Sequence, residues 1–161
     1  MKHNPIVAAN WKMHKTSNES KIFYNDLKDS CKQINNVQII LSVPFTSLNS
    51  FNAEPPFSKA AQNCHWEDSG AFTGEISVQM IKELGTQYVI VGHSERRHIF
   101  GEKNSDINLK IISISKYGLK PILCVGETLS DRENNNTEHV LEHQLERALK
   151  NMKEIDDIII A

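Results

Sequence analysis

A run of strand-forming residues, Tyr88-Val89-Ile90-Val91, ends in Gly92 and then delivers His93, Ser94, Glu95, Arg96 and Arg97. Tyr, Val and Ile suit a buried pleated surface, whereas an imidazole and four polar side chains are costly to leave beside a core. An imidazole at a strand exit that opens a helical turn faces backbone N–H groups, whose partial positive charge disfavours its protonation. A neutral imidazole donates a hydrogen bond to a carbonyl oxygen and afterwards shuttles the proton. The first apolar run ends in a comparable way, in Ala8-Ala9-Asn10-Trp11-Lys12. Strand alternation points Asn10 and Lys12 to one side, and a lysine in a rim pocket supplies a fixed ammonium for a phosphate or a developing oxyanion. Each residue has a duller alternative: a histidine that satisfies a carbonyl, a snorkelling lysine, a solvated Glu-Arg-Arg charge run.

Two other patterns carry less. Gly92-His93-Ser94-Glu95-Arg96 approaches the G-x-S-x-G elbow of serine hydrolases, but Arg96 stands where the last glycine belongs. His139-Val140-Leu141-Glu142-His143 matches an inverted zinc-peptidase pattern, with both histidines on one helical face. That face is not the Leu141/Leu145 stripe, and no third ligand is evident, so no metal site is expected. Cys31, Cys64 and Cys124 are odd in number, far apart and without a C-x-x-C. They read as buried or partly buried thiols in a reducing compartment.

The elements that position these groups are short apolar runs near Pro5, Val37, Lys59, Tyr88, Pro121 and Asp157. Most are continuous rather than alternating, as in parallel strands covered on both faces. Helical patterns lie between most of them. Thr16 and Glu19 make a capping box ahead of one helix. In a second, Asn104 or Ser105 is expected to cap, Gly118 to stop, and Ile107, Ile111, Ile112 and Ile114 to face inward. In a third, Thr137 is expected to cap a stripe of Leu141, Leu145, Ala148, Leu149 and Met152. Repeated strand–helix units give an open doubly wound sheet or a closed (β/α)8 barrel. No G-x-G-x-x-G or phosphate-loop motif supports the nucleotide-binding version, and polar residues at nearly every strand exit favour a barrel with its site at one rim.

The chain has 161 residues, a formal charge of −2 and 39% hydrophobic residues, which suits one soluble domain. That charge gives no general attraction to nucleic acid or to an anionic membrane. The apolar stretch after Pro5 is too short for a signal-peptide core, and no segment is long enough to span a bilayer.

Taken together, "NWKM", "AFTGEIS", "VIVGHSERR" and "PILCVGE", in this order and at these separations, resemble the triosephosphate isomerase family over essentially the whole chain. The resemblance implies interconversion of dihydroxyacetone phosphate and D-glyceraldehyde 3-phosphate through an enediolate, in glycolysis and gluconeogenesis, in the cytoplasm, without cofactor or metal. It implies that His93 is the electrophile at the carbonyl oxygen, with the neutral, lowered-pKa imidazole for which the family is known. Lys12 would hold the phosphate and the developing charge, and Asn10 would orient the oxygens. Glu95 would be the charge partner of Lys12 and a proton relay, and Ser94 would help position the catalytic groups. It also implies a homodimer: Thr73 would brace Asn10 and Glu95 of the partner subunit, and Glu75 would pair with Arg96 of the partner subunit.

His14 and Val78-Gln79 depart from the family's usual residues in ways that look tolerable. The larger departure concerns the general base. The family's catalytic glutamate follows the sixth strand, with the lid and later phosphate-binding loops after it, and none lies within residues 1–161. The expected fold is an incomplete (β/α)8 barrel of five βα units and the start of a sixth strand, against roughly 250 residues for a closed one. Residues 1–161 would then be a single domain, the N-terminal part of such a barrel, inactive alone. The competing possibility is a truncated barrel that serves as an interaction module without chemistry.

Overall fold

The computed structural model describes residues 5–152 and 154–161. Six strands form one parallel sheet in sequential order: β1 (Ile6–Asn10), β2 (Gln38–Val43), β3 (Phe57–Ala61), β4 (Tyr88–Val91), β5 (Lys120–Leu123) and β6 (Ile159–Ile160). Helices α1 (Ser17–Ser30), α2 (Val78–Glu83), α3 (Ser94–His98), α4 (Asn104–Lys116), α5 (Leu129–Glu133) and α6 (Thr137–Ala148) fill the connections, with a single turn of 3₁₀ helix at Phe45–Ser47. The architecture is a curled partial (β/α)8 barrel, in agreement with the fold expected from the sequence.

The strands read as unbroken apolar runs because alternate residues enter two different cores. Val89 and Val91 join Leu41, Val43, Leu123, Ile107, Ile111 and Ile114 between sheet and helices. Tyr88 and Ile90 join Ile40, Ala60 and Ile122 on the other face. Full burial of each such side chain stabilises by roughly 1.5–3 kcal/mol. The sheet therefore holds its strand exits in a fixed register, with Asn10 opposite Ser42, Val43 opposite Ala61, and Val91 opposite Leu123.

The Thr16–Glu19 capping box forms at α1 as the sequence implies. Gly118, with φ 71°, terminates α4. The other caps differ. Lys103, not Asn104 or Ser105, caps α4, because the Asp106 carboxylate accepts its backbone N–H at 3.0 Å. Asn136 precedes α6 at the position expected for Thr137. Ile112 is 39% exposed, whereas Ile107, Ile111 and Ile114 are fully buried. The stripe on α4 is narrower than supposed, since residues 111 and 112 stand about 100° apart around a helix. On α6 only Ala148 is fully buried, and Leu145, Leu149 and Met152 pack half-buried against the core.

Candidate active site

Four of the residues singled out by sequence meet beyond the C-terminal ends of β1 and β4. Asn10 is the last residue of β1. Its Oδ1 accepts the backbone N–H of Lys12 at 2.9 Å, an Asx turn that diverts the chain as it leaves the sheet. Lys12 consequently lies off the strand with φ 52°. Strand alternation does not orient it, contrary to the sequence-based argument; a left-handed turn does. Its ammonium reaches across to α3 and donates to Glu95 Oε1 at 2.8 Å.

His93 is the N-cap of α3 and follows Gly92, whose φ of 69° turns the chain out of β4. The ring Nδ1 accepts the Glu95 backbone N–H at 3.3 Å and lies 3.5 Å from Glu95 Oε2. A ring that accepts at Nδ1 carries its proton on Nε2 in the neutral form, the tautomer that can donate to a substrate oxygen. Glu95 thus bonds the cation through its carboxylate and the imidazole through its backbone N–H. The hydrogen bond from Lys12 is the main reason its carboxyl stays below the ordinary value of 4.5. Both partners remain open to solvent, with side chains 52% and 40% exposed, so a dianion can approach the ammonium.

The other expected site residues are more scattered. Ser94 begins α3 and is exposed. Thr73 and Glu75 lie exposed at the tip of a loop, residues 66–76. The base of that loop is closed by a bridge between His65 and Ser77 and by the His65 N–H to the Ile76 carbonyl at 2.8 Å. Phe72 folds back on the His65 ring at a centroid distance of 4.5 Å. Arg96 Nε donates to Glu102 Oε1 at 3.2 Å within the same chain. His139 and His143 are exposed on α6. Among the described residues no three His, Cys, Asp or Glu side chains are grouped to hold a metal ion.

The thiols behave as packing groups. Cys64 is buried, which pushes its pKa up to about 12, and burial also raises that of half-buried Cys124. Among the described residues no helix is long and apolar enough to cross a membrane.

Two supporting residues escaped the sequence-based reading. By sequence Arg97 belongs to a solvated charge run. Instead its guanidinium donates to the Gly92 carbonyl at 2.6 Å, Asn104 Oδ1 at 2.6 Å and the Cys124 carbonyl at 3.1 Å. Its backbone N–H also reaches the His93 carbonyl at 3.1 Å. One residue therefore holds the carbonyls of both residue 92 and residue 93, and partial burial pulls the guanidinium below its ordinary value of 12.5. Gln62, the first residue after β3, donates from Nε2 to the Lys12 carbonyl at 2.8 Å and to the Ser42 carbonyl at 3.1 Å. The available signal was position: Gln62 directly follows the end of β3, and Arg97 lies in the short helix that follows β4.

Comparison with known proteins gives one consistent result. A family model described as triosephosphate isomerase matches residues 5–161. The triosephosphate isomerase of Finegoldia magna is 49% identical over 156 residues, covering 94% of this chain and 61% of the relative. That of Alkaliphilus metalliredigens is 45% identical over 162 residues, covering 98% of this chain and 65% of the relative. That of Aquifex aeolicus is 45% identical over 157 residues, covering 96% and 64%. The chain spans between 61% and 65% of the length of these relatives.

Proposed function

The chain belongs to the triosephosphate isomerase family, and on that premise we propose that the protein carrying it interconverts dihydroxyacetone phosphate and D-glyceraldehyde 3-phosphate, in the glycolytic and gluconeogenic reactions of the cytoplasm. The observation that supports this reading is that Glu95 joins both groups at one rim, its carboxylate accepting Lys12 Nζ at 2.8 Å and its backbone N–H donating to His93 Nδ1 at 3.3 Å. His93 donates from Nε2 to the substrate carbonyl oxygen, drawing electron density off the neighbouring carbon so that its proton becomes acidic. As the enediolate forms, the same ring moves a proton between the two oxygens. Lys12 binds the phosphate and stabilises the developing negative charge. Asn10, whose carbonyl oxygen is occupied by the Lys12 N–H, offers its amide nitrogen to the substrate oxygens. Glu95 keeps the ammonium aimed while the site is empty and serves as a proton relay. Ser94 adds to the positioning.

Proton abstraction from carbon belongs, in this reading, to the glutamate that follows the sixth strand in the family. Residues 1–161 supply the electrophilic half of the site, and a polypeptide limited to them is expected to be inactive. In the full-length protein, a coupled assay should show turnover of dihydroxyacetone phosphate, and His93→Gln should lower kcat by about 10²–10⁴-fold. A full-length protein without turnover, or a His93→Gln variant as fast as the parent, would remove the proposal.

The exposed loop tip supports a homodimer as the working form. Thr73 would approach Asn10 and Glu95 of the partner subunit, and Glu75 would approach Arg96 of the partner subunit. Phe72, Ile99 and Phe100, 43%, 71% and 68% exposed, offer the apolar surface such a contact needs. Sedimentation of the full-length protein as a dimer is expected, and a monomer at assay concentrations would count against this assembly.

A further inference from the structure

We infer that Gln62 is a positioning residue for the anion-binding ammonium: its side-chain amide locks the left-handed turn at Lys12 and so aims Lys12 Nζ at the site. This rests on the function proposed above and deepens it. A lysine at φ 52° occupies a region that residues other than glycine rarely adopt. Such a conformation persists only where the surroundings over-determine it. Here the N–H side of Lys12 is held by Asn10 Oδ1 at 2.9 Å, and its carbonyl side by Gln62 Nε2 at 2.8 Å. The two anchors come from different strand exits, β1 and β3. The Gln62 amide is itself anchored on the Ser42 carbonyl of β2, which also accepts the Trp11 N–H at 2.9 Å.

Without Gln62 the Lys12 carbonyl loses its side-chain donor, and the residue can relax to negative φ. That relaxation rotates the Cα–Cβ bond and carries the ammonium away from Glu95 and from an incoming phosphate. Gln62 itself need not touch substrate; its effect passes through the backbone of residue 12.

The test uses the full-length protein and inorganic phosphate as probe. Gln62→Met keeps the length of the side chain and removes its donor. It should lower kcat/KM by about 10–100-fold, as small misplacements of a catalytic group do, and weaken competitive inhibition by inorganic phosphate with little change in Tm. In a Lys12→Ala background the same substitution should cause no further loss, whereas an amide that only stabilises the fold would cost the same in both backgrounds. Gln62→Asn, too short to reach both carbonyls, should give an intermediate loss and replaces Gln62→Met if that variant fails to fold. Unchanged phosphate affinity in a folded Gln62 variant, or an equal loss in the Lys12→Ala background, overturns the inference. A parent protein that neither turns over triose phosphate nor is inhibited by phosphate overturns the functional reading instead. An active parent weakened by Lys12→Ala but not by Gln62→Met overturns the inference alone.

Discussion

Lys12–Glu95 and Lys110–Glu102 are two ammonium–carboxylate pairs, one with its carboxylate in helix α3 and the other with its carboxylate just after it. In the first, the side chains are 52% and 40% exposed, and the carboxylate accepts Lys12 through Oε1. In the second they are 5% and 4% exposed. Glu102 Oε1 takes Arg96 Nε as well as Lys110, and Lys110 Nζ also donates to Asn63 Oδ1 at 2.7 Å. The residue types are the same, but the uses differ. A buried pair, bonded through Glu102 Oε1 while Oε2 has no hydrogen-bond partner among the described residues, knits α4 to the loop after α3 and to the exit of β3. An open pair on a left-handed turn leaves its ammonium facing solvent. Burial and coordination, rather than charge, separate scaffold from site.

The sharpest way to break this comparison is to remove one partner of the closed pair. Lys110→Met should destabilise the full-length protein by about 1–3 kcal/mol, because the buried Glu102 carboxylate loses one of its two cations and keeps only the partly exposed Arg96. Lys110→Met with Glu102→Leu should recover much of that loss, since burying neither charge avoids the desolvation penalty. Denaturant unfolding reads both, and a single variant within about 0.5 kcal/mol of the parent would show the closed pair to be as dispensable as a surface one.

The smaller effect lies at the open pair and sharpens the contrast. Lys12, chiefly through its hydrogen bond, holds the Glu95 carboxyl below 4.5 in the fold. The sign follows from linkage. Because the folded value is the lower one, the pair's contribution is complete above the unfolded value and disappears as pH falls through the folded one. Both groups face solvent, so little stability is at stake. The titration itself is the readout: by NMR, Glu95 should titrate lower in the parent than in Lys12→Met. Identical titration in the two proteins would mean that the ammonium does not engage the carboxylate in solution.

The place of residues 10, 12, 93 and 95 at the ends of β1 and β4 was legible because strand exits and residue types are written locally. So was the parallel sheet, because both faces of its central strands, β2 to β5, are covered. Local patterns did not carry the direction of Lys12. Alternation assumes that the strand continues, and the Asn10 side chain ends it by capturing the N–H two residues on. Gln62 and Arg97 were hidden for a related reason. They act on main-chain carbonyls of other strand exits, so no side-chain partner in the sequence advertises them. Ile112 and the helix caps misled more mildly. A run of isoleucines does not say which one the sheet leaves uncovered, and Lys103 caps through its backbone and the Asp106 carboxylate, not through its own side-chain type.

The sequential order of the sheet has a consequence for how the polypeptide comes off the ribosome. Each strand from β2 to β6 docks beside the one made immediately before it. A newly emerged segment therefore finds its partner already synthesised, and its loop closure spans only one intervening connection. Assembly can then run in step with translation, each new strand pairing with the edge of the one before it, while β1 keeps one edge unpaired among the described residues.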